Sequence, residues 1–179
     1  MSGVYSARVA AYLKRAAGAA THYSRGRNYE NLLDYLMSSV PGCEVARNSL
    51  NHYGTEEADL SVSNMRLQEG LPLLPEYFLV ECKNWSVPVD STTLGYFVNV
   101  VVDRGCSLGV LAAAKGITGS QEHRDRAFAI GSNALIRKIR ILVITSDDLR
   151  TLTQPADLIK LLHKRNNELT ANGTIYLGT

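Results

Sequence analysis

The sequence predicts an α/β protein built on a mixed β-sheet with helices on both faces and a core order of helix, three strands, helix, strand. Three observations predict it. Three short strand-like segments follow one another between residues 43 and 83 with no helical repeat between them, as in a meander. Two later apolar runs, "LGVLAAA" and "IRILVIT", are continuous and not alternating, as strands buried on both faces are. A stretch of helical character precedes each of these runs, so both enter the sheet through strand–helix–strand crossovers, which run parallel.

Each element follows from a local pattern. A first helix spans about 2–20, because Tyr5, Val9, Tyr12 and Leu13 recur at helical spacing. The polar stretch "THYSRGRN" separates it from a second helix over about 27–39. There Tyr29, Leu33, Leu36, Met37 and Val40 form an apolar stripe, and Pro41 ends the helix because it cannot continue the hydrogen-bond ladder. The first three strands are "CEVARNSL", "ADLSVS" and "YFLVECK", the last two joined by a loop that Pro72 and Pro75 break. A helix over about 91–104 leads into "LGVLAAA". The turn "KGITGS" follows, where Thr118 or Ser120 can cap a long helix over about 121–137. "IRILVIT" is the fifth strand, and "SDDLRTL" and "PADLIKLLHKRNNEL" close the chain as helices. The organisation is a helical extension over 1–25 and one domain over 26–179 that includes the C-terminal helices.

Composition removes several classes of function. With 45% hydrophobic and 20% charged residues, the chain has the makings of a packed core and not of a disordered segment. No apolar run approaches the roughly 18 residues that span a bilayer, so no membrane partner is expected. Cys43, Cys82 and Cys106 are odd in number and widely spaced, which argues against a disulfide framework and for a reducing, intracellular, cytoplasmic setting. The N-terminus is rich in Ala, Ser and Arg and lacks acids, as mitochondrial targeting segments do, and that is the alternative address. The four histidines are scattered, so no zinc site is expected, and neither a phosphate-binding loop motif nor a serine-hydrolase motif occurs.

The net charge of +2 is nearly neutral, but its distribution is uneven. Residues 1–27 hold Arg8, Lys14, Arg15, Arg25 and Arg27 and no acid. Residues 41–81 hold Glu44, Glu56, Glu57, Asp59, Glu69, Glu76 and Glu81 against only Arg47 and Arg66. An acidic centre beside basic flanks suits a cation site set in a phosphate-binding surface, and equally a scatter of solvated charges.

The chemistry concentrates in Glu30, Asp59, Glu81 and Lys83. An acid two residues before a lysine occurs about once by chance in a chain this long, so context must carry the reading. In "YFLVECK" the alternation of a strand puts Phe78, Val80 and Cys82 on one face and Tyr77, Leu79, Glu81 and Lys83 on the other. In "EEADLSV" it separates Ala58, Leu60 and Val62 from Glu57, Asp59 and Ser61. If these strands pair, Asp59 and Glu81 converge, and two close carboxylates repel unless a cation sits between them. Oxygen ligands favour a hard ion, magnesium, with manganese as a substitute. Such an ion polarises a scissile phosphate and acidifies the attacking water. Lys83 is placed to orient that water or to stabilise charge in the transition state. Glu30 sits about 80° from the centre of its helix's apolar stripe, where it can reach over a sheet edge. Against this stands the plainer reading, a solvated boundary glutamate and a surface Glu81–Lys83 ion pair.

The order of these features carries a resemblance. "GRNYENLLDYL…EEADLSV…YFLVECKNW…LGVLAAAKGITGS" resembles the PD-(D/E)XK nucleases over roughly residues 26–145, most closely the restriction-endonuclease-like proteins near the Mrr type, with the Holliday junction resolvases sharing the same core. The resemblance implies a restriction-endonuclease-like fold and a magnesium-dependent endonuclease acting on DNA, with RNA open. It implies that Asp59, Glu81 and the backbone carbonyl of Cys82 hold metal, that Lys83 is the catalytic lysine and that Glu30 is the helix acid. It further implies substrate contacts from the "KGITGS" turn, above all Lys115, and Asn84, which directly follows the lysine, is counted as a nucleic-acid contact with it. Many nucleases with one such site per subunit pair up to cut both strands, so a homodimer is expected. Two departures stand out. Ala58 occupies the position of the proline in the family's name, and "YGTEEAD" replaces the glycine-rich approach to the aspartate seen in Mrr-type enzymes.

Other residues have two readings. Glu57 shares a face with Asp59 and is a candidate further carboxylate. Trp85 can stack on a base or simply pack. Two other functions stay in view: a structure-specific enzyme for junctions or flaps, and a nuclease fold that binds nucleic acid or a partner without cutting.

Overall fold

The computed structural model describes residues 2–50, 57–118, 125–173 and 175. Among them the chain forms α1 (Ser2–Gly18), α2 (His22–Ser38), β1 (Cys43–Leu50), β2 (Glu57–Asn64), β3 (Tyr77–Lys83), α3 (Ser91–Asp103), β4 (Leu108–Ala113), α4 (Asp125–Ile136), β5 (Arg140–Ile144), α5 (Ser146–Arg150) and α6 (Pro155–Asn172). The five strands make one sheet in sequential order, β1-β2-β3-β4-β5. β1, β2 and β3 pair antiparallel, whereas β4 joins β3 and β5 joins β4 in parallel. The expected α/β architecture with a mixed sheet is therefore present, and its order from α2 to β4 is helix, three strands, helix, strand.

Helices cover both faces, as the register shows. Gly109 is the ladder partner of Leu79, and a Cβ on Gly109 would lie 2.8 Å from Phe97 and Val101 of α3. The face carrying Leu79, Glu81 and Lys83 is thus the α3 face, and glycine at 109 is what lets that helix approach the sheet. Val80 and its partner Leu60 point the other way, as does Arg47, which pairs with Leu60 and reaches Asn31 and Asp34 of α2. That second face is sealed by Tyr29, Leu32, Leu33, Leu36 and Met37, all fully buried. Removing each such side chain from water is worth about 1.5–3 kcal/mol. β4 is buried along its whole length, which accounts for its unbroken apolar sequence.

Two local expectations are corrected. The second helix begins at His22 and not near Arg27, so "THYSRGRN" is mostly its first two turns. The cause is a cap: the Thr21 hydroxyl accepts from the Ser24 N–H at 3.1 Å, and the Ser24 hydroxyl takes the Thr21 N–H at 3.2 Å. The first helix stops at Gly18 accordingly. The division drawn between residues 25 and 26 falls within α2, and α1 packs along α2 with Tyr5, Val9 and Ala16 in the common core. The start of the long helix expected at 121, together with Ser120 and His123, lies outside the described residues. Among the described residues no helix is long and apolar enough to cross a membrane.

Candidate active site

β3, β4 and β5 run parallel, so their carboxyl ends share one edge of the sheet. In sheets of this kind ligands bind outside that edge. β2 runs the opposite way and enters the sheet there, bringing Asp59 beside the end of β3. The β2–β3 ladder carries Leu60 opposite Val80, so Asp59 and Glu81 are the next residues out on the adjacent strands and share the α3 face.

Asp59 Oδ2 accepts the backbone N–H of Cys82 at 2.7 Å. The N–H and C=O of a strand residue point to the same side, so the Cys82 carbonyl also faces the β2 side, where Asp59 stands. Burial and the neighbouring negative charge of Glu81 raise the Asp59 pKa to about 7, against the lowering effects of the Cys82 hydrogen bond and the Lys83 charge. Lys83 Nζ lies 2.6 Å from Glu81 Oε1. Burial works against the lysine's charge, but the Glu81 carboxylate and, more weakly, Asp59 outweigh it, and the Lys83 pKa is raised overall. Lys83 stays a cation throughout the neutral range. Its Nζ also sits 5.8 Å from the centre of the Trp85 ring. The Cys82 thiol is pushed well above its usual range, first by burial and then by Asp59, Glu81 and Glu30. A protonated, buried thiol is no nucleophile.

Asp59, Glu81 and Lys83 therefore come together as expected from the two alternating strands. Glu30 does not join them by contact. It lies on α2, on the opposite face, and its carboxylate takes Arg27 at 3.0 Å and Arg47 at 3.2 Å. Its charge still reaches Asp59 as a weak upward push on that pKa. Arg47 escaped sequence reasoning, although its position two residues after Val45 marks a charged side chain on an inward face, which ordinarily has a partner. The Glu57 side chain, the candidate further carboxylate, lies outside the described residues.

Asn84 is placed where the strand leaves the sheet, and its side-chain amide is engaged within the protein. Nδ2 donates to the Ala16 and Arg25 carbonyls, each at 3.2 Å, clasping the end of α1 and the first turns of α2 to the end of β3. Asn84→Ala should lower stability by about 1–2 kcal/mol, since it removes the hydrogen bonds that tie the end of α1 and the first turn of α2 to the end of β3. A shift in the urea midpoint at unchanged m-value would show it. Lys115 stands exposed on the turn after β4, next to Gly116, whose φ of 69° bends the chain back. The Val89 N–H bonds the Gly116 carbonyl at 2.9 Å and the Thr118 N–H bonds the Val89 carbonyl at 2.8 Å, so this turn is braced.

The donor set suits a hard divalent cation: two carboxylates and a carbonyl oxygen, with charge repulsion between the carboxylates that a cation would relieve. Among the described residues no three His, Cys, Asp or Glu side chains cluster into a ready cage. No protein-family model matches this chain, and no curated protein is detectably similar to it.

Proposed function

We propose that this protein is a metal-dependent endonuclease of restriction-endonuclease-like fold that hydrolyses phosphodiester bonds in DNA. One observation carries the reading: neighbouring strands set Asp59 and Glu81 on one face at the carboxyl edge of a parallel sheet, with Lys83 in contact and Asp59 raised to about pH 7 by burial and by Glu81. Desolvated, mutually repelling carboxylates with a lysine beside them are costly to assemble and are typical of functional sites.

Asp59, Glu81 and the Cys82 carbonyl would hold magnesium, or manganese in its place. The ion would supply charge to polarise the phosphate and favour a hydroxide nucleophile. The rest falls to the chain. Lys83, freed from Glu81, turns its ammonium to the phosphoryl oxygens, where negative charge builds in the transition state. Burial around Asp59 and Lys83 keeps their fields from being screened by water. Glu30, neutralised by Arg27 and Arg47, tunes the field at Asp59 from the other face. The braced Lys115 turn offers a phosphate contact beside the site. The three free thiols of Cys43, Cys82 and Cys106 accord with a reducing, cytoplasmic compartment, and a second copy of the chain is the partner that would let both strands of a duplex be cut together.

The test is cleavage of end-labelled linear duplex, single strand, flap and four-way junction, with magnesium, manganese or EDTA. Cutting is expected with either metal, none in EDTA and none by Asp59→Ala. Binding without cutting on every substrate would overturn the enzymatic reading in favour of a binding module.

A further inference from the structure

On the α2 side of the same sheet edge lies a cavity of about 210 Å³, formed where all three parallel strands end. Asn84 and Trp85 directly follow β3, Lys115 follows β4, and Ser146 and Arg150 belong to α5, which follows β5. Tyr29 contributes to the wall, its hydroxyl 3.1 Å from that of Ser146, so this pair satisfies its own polarity.

The charge of the cavity is one-sided. Arg25, Lys115 and Arg150 line it, and among the described residues no acid does. Arg150 pairs outward with Asp147, which is not part of the lining. Arg25 Nε is shielded from solvent and has no hydrogen-bond partner among the described residues. Trp85 is 40% exposed, so part of its ring is open to a ligand. The same ring stands 5.8 Å from Lys83 Nζ, which makes it a wall shared with the catalytic cluster.

Cations and an open aromatic ring around one small cavity are the chemistry of a nucleotide: phosphate on the arginines and lysine, base against the indole. The volume lies below the ~300–1,000 Å³ of whole small-molecule sites, so at most one nucleotide unit fits, with part of it outside the mouth, and a base pair is excluded. A base can enter only from outside a duplex stack, and leaving the stack is cheapest for a strand that is already single.

We propose that this cavity docks one unpaired nucleotide of the strand being cut, its phosphate on Arg25, Lys115 and Arg150 and its base on Trp85. The pocket rests on the nuclease reading for the word "cut". It narrows the substrate to nucleic acid with an unpaired nucleotide beside the scissile bond, a flap, overhang or single strand.

Trp85 is the only tryptophan of the chain, so its fluorescence reports on the cavity alone. In EDTA, where no cutting competes, the protein is titrated with 5′-phosphorylated hexathymidylate, a blunt hairpin duplex, thymidine monophosphate and inorganic phosphate. Hexathymidylate should quench Trp85 at a concentration at least about tenfold below the hairpin. Arg25→Gln should weaken that binding about tenfold and reduce its salt slope by about one, whereas Lys160→Gln, at an exposed position of α6, should do neither. Circular dichroism and melting of the Arg25 variant establish that it folds. Equal quenching by hairpin and hexathymidylate, hexathymidylate binding by anisotropy without quenching, unchanged binding by folded Arg25→Gln, or competition by inorganic phosphate at hexathymidylate concentrations would each overturn the pocket. Cutting in the metal assay with failure here would remove the pocket and leave the nuclease. Quenching here without cutting there would keep a single-strand site and remove the catalysis.

Discussion

Lys83→Met will slow metal-dependent cleavage by about two to three orders of magnitude, the usual loss when one preorganised donor to transition-state charge is removed. Methionine keeps much of the length and apolar stem of the lysine, so the strand end should stay packed. The informative part is what happens to the metal. Lys83 competes with any cation for Glu81, which it holds at 2.6 Å, and its own charge lowers the Asp59 pKa. Removing it frees Glu81 and intensifies the repulsion between the two carboxylates. Magnesium, read by isothermal titration, should therefore bind Lys83→Met at least as tightly as the parent while kcat collapses. A structural role for Lys83 would give the opposite pairing, weaker metal binding with activity recovered at saturating magnesium. Parallel losses in metal affinity and kcat would remove Lys83 from the chemistry and return the Glu81–Lys83 pair to the rank of a surface ion pair.

The grouping of Asp59, Glu81 and Lys83 is legible in the amino-acid sequence because it depends only on alternation. In "EADLSV" and in "VECK" at the end of β3, apolar residues alternate with charged or polar ones, so the faces sort themselves once the strands pair. The buried strands β4 and β5 are legible for a related reason, since only a strand covered on both faces reads as an unbroken apolar run. The start of α2 is not. Its first turns are polar and carry no hydrophobic repeat, and the helix is set there by a hydroxyl cap between Thr21 and Ser24, a signal four residues wide. Long-range polar pairing is equally hidden. Asn84 reaches back to Ala16 and Arg25, and Glu30 reaches across to Arg47, contacts that depend on how α1 and α2 lie on the sheet and not on any local pattern. The cavity beside Trp85 has no sequence signal at all, because it exists only where the ends of the parallel strands meet α1, α2 and α5.

In metal-free buffer the stability of this protein should fall as pH rises from about 4 to about 7, and Asp59→Asn should abolish that part of the fall. The Asp59 carboxyl titrates at about 7 in the folded state, against 3.8 ordinarily. Between those values the folded chain holds a proton that the unfolded chain has released. The contribution is therefore fully present below the unfolded pKa and is lost as pH climbs through the folded one. A shift of this size corresponds to roughly 2–4 kcal/mol, or a melting difference of roughly 6–12 °C for a chain of this length. Other carboxylates pull the other way in acid: hydrogen bonds from Thr153 and Gln154 hold Asp157 below its usual range, so its stabilisation disappears as pH falls through its folded pKa. The difference between parent and Asp59→Asn melting curves isolates the one residue. Asparagine keeps an oxygen to accept the Cys82 N–H, so the variant should be the more stable protein at pH 8 in EDTA. Millimolar magnesium should then raise the parent's melting temperature at pH 8, raise it little at pH 5 where Asp59 is protonated, and leave Asp59→Asn nearly unmoved. Identical pH slopes in the two proteins would mean that Asp59 is not held desolvated against Glu81, and the case for a cation between them would fall with it.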